Sequence, residues 1–281
     1  MMIKDLVVNL PVEGKPTAVT DYAISIAETF GAHISGIAFA YEPVVAPTVM
    51  GGVPSDWIDA QRAESAKAAD TVAARFEAAA QRAGLSAEHR VLPASVGGAA
   101  DLFGQIARRF DLAVVGQTEP NRPAPEELII ESALFESGRP VIVVPYIQKQ
   151  GLKLDRVLAC WDGSRTASRA IGDSLPFLMR AKAIDVVMVA SGRAKSDTKS
   201  DELSGADIGQ HLARHGLKIE VKRIVAADID VPNTILSYAA DSSADLLVMG
   251  GYGHSRLREF ILGGATRGIL TSMTVPVLMS H

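Results

Sequence analysis

Closely spaced glycines follow one apolar run of the chain, between Val248 and Thr266. They include Gly250, Gly253, Gly263 and Gly264. Because glycine has no Cβ atom, such residues let backbone N–H groups converge on an anion. A helix predicted from Ala265 would add the positive end of its dipole at the same place. The segment is therefore predicted to bind phosphate groups, the alternative being a glycine-rich turn without a ligand.

Cationic side chains accompany these glycines. They are His254, Arg256 and Arg258 in the loop, with Arg267 in the helix that follows. An arginine fork matches two phosphate oxygens, although arginines on exposed loops are more often simply solvated. We expect at most one of them to contact a ligand, and we take Arg256 as the candidate.

Two familiar phosphate-binding motifs are excluded. A Walker A loop needs Gly-Lys-Ser/Thr after its first strand, and no lysine occurs beyond Lys222. A dinucleotide fingerprint belongs to the first strand-to-helix turn, whereas the glycines here follow a fourth predicted strand.

The elements that must position this loop are indicated by an internal repeat. Three pairs of segments match: Asp5–Gly14 with Asp155–Gly163, Phe110–Gly116 with Ala244–Gly250, and Gly138–Val144 with Thr274–Met279. In the second half, strands are predicted near 156–161, 184–190, 218–225, 245–249 and 276–280, and helices near 164–180, 199–216, 232–243 and 265–273. The first half adds a Pro- and Gly-rich insert at 41–56 before a long helix near 57–83. Short apolar runs alternating with helices are typical of parallel α/β sheets.

The glycine spacing resembles the ATP-binding signature of the universal stress protein family, which is Gly, two residues, Gly, nine residues, Gly, then Ser or Thr. Gly264 stands where the family has the hydroxyl, and Thr266 is the nearest residue that could supply one. The resemblance implies two tandem, open, parallel five-stranded sheets with helices on both faces, Rossmann-like and similar to the adenine nucleotide alpha hydrolases. The implied domains are 1–147, degenerate, and 153–281, with the ATP-binding motif.

The resemblance also implies where adenine binds. Asp162, after the first strand of the second half, stands where the family contacts the base, although the same carboxylate could instead cap the following helix. The end of the second strand, Val189 and Ala190, or of the third, Val225 and Ala226, would form the apolar wall. The implied ligand is ATP, with magnesium as a further candidate.

The first half lacks most of the glycines that follow the fourth strand of the second half. Aligned with the second, it has Gly116, Glu119, Glu127 and Leu128 at their positions. Phosphates would meet Glu126, Glu127 and Glu131, and such like charges repel in a partly desolvated site. We therefore expect nucleotide only in the second half.

Composition limits the remaining classes. A net charge of -4 with a pI near 5.9 gives no basic face for nucleic acid. No apolar run reaches the roughly 20 residues that span a bilayer, and the N-terminus reads as a strand, so a cytoplasmic location is expected. Cys160 is the single cysteine and is expected to be a small buried hydrophobe. His211 and His215 share a helix face but lack a third metal ligand nearby in sequence.

The function expected from the sequence is that of a stress-response protein that binds ATP and acts as a nucleotide-dependent sensor or regulator through protein partners not yet identified. It is not expected to be an enzyme, the alternatives being a slow adenine-nucleotide hydrolase and a scaffold without nucleotide. The terminal strands, Val141 to Val144 and Val277 to Met279, are predicted to lie side by side in an internal pseudo-dimer. A homodimer is a further expectation.

Overall fold

The structure is a computed structural model that describes residues 2–12, 16–43, 54–119, 125–191, 198–226, 230–251 and 264–281. Predicted site residues Gly253, Arg256 and Gly263, and most of the insert at 41–56, lie outside these residues. The chain forms two compact units. One comprises Ile3–Arg139 with Lys149–Gly151, and the other consists mainly of Leu152–His281 with Pro140–Gln148.

Strands and helices alternate in both halves. The first half contains β1 (Asp5–Leu10), α1 (Pro16–Phe30), β2 (His33–Tyr41), α2 (Ser55–Arg82), β3 (Ala87–Ala94), α3 (Val96–Ala107), β4 (Leu112–Gly116), α4 (Glu126–Glu136) and β5 (Val141–Val144). The second contains β6 (Arg156–Cys160), α5 (Arg165–Leu178), β7 (Ala183–Ser191), α6 (Thr198–Arg214), β8 (Ile219–Ala226), α7 (Val231–Asp241), β9 (Leu246–Gly250), α8 (Gly264–Ser272) and β10 (Val277–Ser280). The predicted α/β class is confirmed.

In the unit formed by the first half, the strand order is β3-β2-β1-β4, and the pairs are parallel. The central strands β1 and β4 are almost entirely buried because helices cover both faces of such a sheet. Helix α2 presents an apolar stripe of buried residues at three- and four-residue spacing to this core. The stripe consists of Ala69, Val72, Ala73, Phe76 and Ala80.

In the unit formed by the second half, the strand order is β5-β10-β9-β6-β7-β8. Every pair from β10 to β8 is parallel, whereas β5 runs antiparallel to β10, with Val143 opposite Val277 and Val141 opposite Met279. The predicted adjacency of the two terminal strands is confirmed. The prediction of five parallel strands needs one correction: β5 from the first half adds a sixth, antiparallel strand, because pairing satisfies the backbone groups that an edge strand leaves open.

Candidate functional site

The carboxyl ends of β6 and β9 lie side by side in the sheet. The two strands are parallel neighbours, with Val157 opposite Leu246 and Ala159 opposite Val248. Strand β6 has β7, the next strand along the chain, as its neighbour on one side and β9 as its neighbour on the other. The strand order therefore reverses between β6 and β9. Ligands of open α/β sheets bind in the crevice at this kind of reversal. The turns after β6 and β9 therefore form the candidate site.

The turn after β6 is fixed by its own polar side chains. The backbone N–H of Ser164 donates to Asp162 Oδ1 at 2.9 Å, and Gly163 adopts a φ of +76° that disfavours a side chain. The Ser164 hydroxyl oxygen then accepts from the backbone N–H of Ala167 at 3.1 Å and caps α5. The interpretation of Asp162 as the helix cap is wrong, since Ser164 has that role. Asp162 is instead exposed, directly after the carboxyl end of β6.

Gly250, at the end of β9, lies directly against the first turn of α5. A Cβ atom built on Gly250 would stand 2.6 Å from the Thr166 hydroxyl oxygen and 2.7 Å from the backbone nitrogen of Ala167. No side chain fits at such distances without a shift of the helix. The glycine therefore lets α5 begin next to the end of β9, which is a packing role that the phosphate-binding prediction did not foresee.

The helix after the glycine-rich loop begins at Gly264. Gly264 is exposed, and a Cβ atom there would meet no atom of the described residues within 4 Å. Ala265 is partly exposed, whereas Thr266 is completely buried. In this conformation Thr266 therefore does not present its hydroxyl at the surface, as the sequence analysis suggested it could. The first turn of α8 carries the positive end of the helix dipole.

The predicted apolar wall lies at the ends of β7 and β8. Val189 is opposite Ile224, and Ala190 is opposite Val225, in the parallel pairing of the two strands. Val189 and Ala190 are partly exposed, whereas Val225 is 67% exposed. Both predicted pairs of wall residues thus belong to the same carboxyl edge as Asp162.

The end of β10 also lies at the carboxyl ends of these strands, which was not predicted from the sequence. Ser280 is opposite Gly250, and its carbonyl oxygen accepts from the backbone N–H of Gly251 at 2.8 Å. Ser280 is 1% exposed, and within the described part of the chain its hydroxyl has no hydrogen-bond partner. Burial and the nearby positive charge of Arg165 lower the pKa of His281. Because β10 pairs in parallel with β9, its last residues, Ser280 and His281, lie next to the end of β9.

Cys160 ends β6 at the same edge and is half-buried, not fully buried as expected from the sequence. Desolvation raises the pKa of its thiol to about 12, and the charge of Asp162 acts in the same direction. The thiolate, which is the reactive form, is therefore scarce at neutral pH.

The corresponding edge of the first half is acidic. Helix α4 begins with Glu126 and Glu127, whereas α8 begins with Gly264 and Ala265. Gly116, which ends β4, has Val19 as the nearest neighbour of an added Cβ, at 3.8 Å. Among the described residues, no helix approaches Gly116 as closely as α5 approaches Gly250.

Among the described residues, no cluster of three or more His, Cys, Asp or Glu side chains could hold a metal ion. His211 and His215 are exposed neighbours on and after α6, with ring centres 5.0 Å apart. None of the helices within the described ranges is long and apolar enough to cross a membrane.

These observations define an α/β protein with a candidate site at a reversal of strand order. The model of the universal stress protein family matches residues 153–281. The universal stress protein Slr1230 of Synechocystis is 28% identical over 192 residues, which cover 63% of this chain and 60% of that relative. The match thus spans about 60% of the relative's length.

Solved structures share the fold over nearly the whole chain. A universal stress protein from Archaeoglobus fulgidus has a TM-score of 0.71 at 16% identity, covering 98% of this chain and 97% of its own. A protein from Pseudomonas aeruginosa described as a putative universal stress protein has a TM-score of 0.61 at 13% identity, covering 99% and 93%. The family model, over residues 153–281, and the Synechocystis relative agree with the resemblance inferred from the sequence.

Proposed function

We propose that the second half of the chain binds one molecule of ATP at the carboxyl ends of β6 and β9. The observation that carries this proposal is the placement of three features at one edge: the β6–β9 reversal, the exposed Asp162 and the N-terminus of α8 at Gly264. The sequence adds Gly253 and Gly263, whose spacing from Gly250 matches the family signature.

The residues fit the chemistry of an adenine nucleotide. In this proposal the first turn of α8 donates backbone N–H groups to a phosphate, because helix N-termini stabilise anions. Arg256 is the proposed side-chain contact to the phosphates. The Asp162 carboxylate accepts from the exocyclic amine of adenine, and Val189 contributes to the apolar surface under the base. Magnesium would be bound by phosphate oxygens and water.

Titration calorimetry of the full chain with ATP and magnesium tests this proposal. The parent protein should bind ATP, and Gly263→Val should abolish binding while cooperative unfolding is retained. Gly172→Val serves as a control in α5, because a Cβ there meets no atom within 4 Å. Absence of ATP binding by the parent would support the scaffold alternative instead.

We propose further that bound ATP acts as a signal to protein partners rather than as the substrate of a dedicated reaction. No Walker lysine is present in the sequence of the loop, and Glu259 is the only acidic residue between Gly250 and Gly264. General-base assistance and charge neutralisation accelerate phosphoryl transfer, and few groups here could supply either. Partner capture from cell extract, compared between the parent and Gly263→Val, tests this role: a partner retained only by the ATP-binding form supports it.

A further inference from the structure

A cleft lies between α1 and α2 in the first half, and no part of the proposed nucleotide site contributes to it. Its volume is about 260 Å³. Small-molecule pockets usually occupy about 300–1,000 Å³, so this cleft suits a short ligand.

The floor of the cleft is apolar. Val72 and Phe76 of α2 line it and are 7% and 1% exposed, and Ala79 extends the same surface one turn further along the helix. These side chains recur every three or four residues and so share one helix face. An aliphatic group placed here would remove apolar surface from water, which favours binding.

One polar group lies within this apolar surface. Thr20 of α1 lines the cleft and is only 7% exposed. A threonine hydroxyl can donate a hydrogen bond, so a ligand oxygen in the cleft could accept one from Thr20. Thr20 therefore points to a ligand that carries a hydrogen-bond acceptor as well as an apolar part.

The mouth of the cleft is cationic. Arg75 and Arg82 both line it and are exposed, and among the described residues neither forms an ion pair. Asp21 is the acidic residue of the lining, so the mouth carries one net positive charge, although the whole chain carries -4. Arginine forks match the two oxygens of a carboxylate.

We propose that this cleft binds the anion of a short aliphatic carboxylic acid, with its carboxylate at Arg75 and Arg82 and its tail on Phe76 and Val72. The single net charge at the mouth matches a monoanion. The Thr20 hydroxyl donates a hydrogen bond to a carboxylate oxygen. This assignment is independent of ATP binding in the second half.

Titration calorimetry of the full chain with octanoate tests the proposal. We expect one saturable site, and at least about tenfold weaker binding of octylammonium, which has the same tail and the opposite charge. The double variant Arg75→Gln/Arg82→Gln should lose at least about tenfold in octanoate affinity. Arg62→Gln is the matched control, because Arg62 lies on α2 outside the lining and pairs with Asp59; it should bind octanoate like the parent.

Two further measurements keep the test independent of the arginine variants. Ala79→Leu keeps both arginines but fills the cleft, and it should abolish octanoate binding while cooperative unfolding is retained. Saturating ATP should leave octanoate affinity unchanged. A dissociation constant for octanoate weaker than about 1 mM, competition by ATP, or equal affinity in the double variant and Arg62→Gln would overturn the proposal.

Discussion

Gly250 and Thr166 are packed so closely that a Cβ atom on Gly250 would stand 2.6 Å from the Thr166 hydroxyl oxygen. The end of β9 and the start of α5 consequently meet at the candidate site without a side chain between them. In the first half, the matching Gly116 has its nearest neighbour, Val19, at 3.8 Å, an ordinary packing distance. The two halves of the repeat thus use the same residue type for different physical reasons.

Gly250→Ala should lower the free energy of unfolding by about 1–3 kcal/mol, the usual cost of overpacking, because α5 must shift to admit the methyl group. Gly116→Ala should change it much less, since a methyl group fits there. Urea denaturation of the two variants provides the measurement. Equal losses would show that the contact between β9 and α5 is not tight in solution.

Gly264→Ser should strengthen ATP binding. The position is exposed and has room for a side chain, and a serine there would restore the hydroxyl of the family signature. One added hydrogen bond contributes about 0.5–1.5 kcal/mol, which calorimetry with ATP can resolve. Gly172→Ser in α5 is the control. A side chain there points into open space, so this variant should leave the affinity for ATP unchanged. Unchanged affinity in Gly264→Ser would argue against phosphate contact at this helix.

The full chain should bind one nucleotide, in its second half. Glu126 and Glu127 occupy the first turn of α4, and their carboxylates compete with any phosphate for the positive end of the helix. Native mass spectrometry after incubation with ATP should detect a single bound nucleotide. Two bound nucleotides per chain would contradict the asymmetry between the halves.

Hydrolysis of ATP should be slower than about 1 per second, the low end of typical enzymes. The reason is the scarcity of acidic and lysine side chains in the loop sequence between Gly250 and Gly264. Phosphate release should be measured for the parent and for Gly263→Val, because contaminating hydrolase activity would be the same in both samples. Faster turnover that disappears in Gly263→Val would identify the protein as an enzyme.

Alkaline pH should weaken the fold through Tyr238. Its hydroxyl donates to Asp185 Oδ2 at 3.1 Å, and Arg156 Nη1 donates to the same oxygen at 2.7 Å. Burial, followed by the charge of Asp185, raises the pKa of Tyr238. A raised folded-state pKa means that the stabilisation is complete below the ordinary tyrosine value of about 10 and is lost as pH rises through the folded value.

The stability of Tyr238→Phe should therefore depend less on pH above about 10 than that of the parent. Urea denaturation at a series of alkaline pH values measures this difference. Tyr146→Phe, outside the cluster, serves as the control and should follow the parent. An identical alkaline slope in Tyr238→Phe and the parent would show that this hydrogen bond is not maintained.

The sequence by itself determined the order and type of the elements. Apolar runs such as Leu246–Gly250, and the apolar stripe of α2, indicate which residues are buried and hence whether a segment is a strand or a helix. The sequence also indicated parallel sheets, because short apolar runs alternate with helices along both halves. The glycine spacing after β9 located the candidate phosphate loop, and the family comparison agrees with the domain to which that loop belongs.

Only the tertiary structure decided which neighbours these residues meet. It showed that Ser164, not Asp162, caps α5, because the choice depends on which oxygen reaches the first turn. It placed Ser280 beside Gly250, and it revealed the cleft between Thr20 and Phe76. These contacts join residues far apart in the chain, and spacing along a sequence carries no information about distances that arise only when separate elements pack.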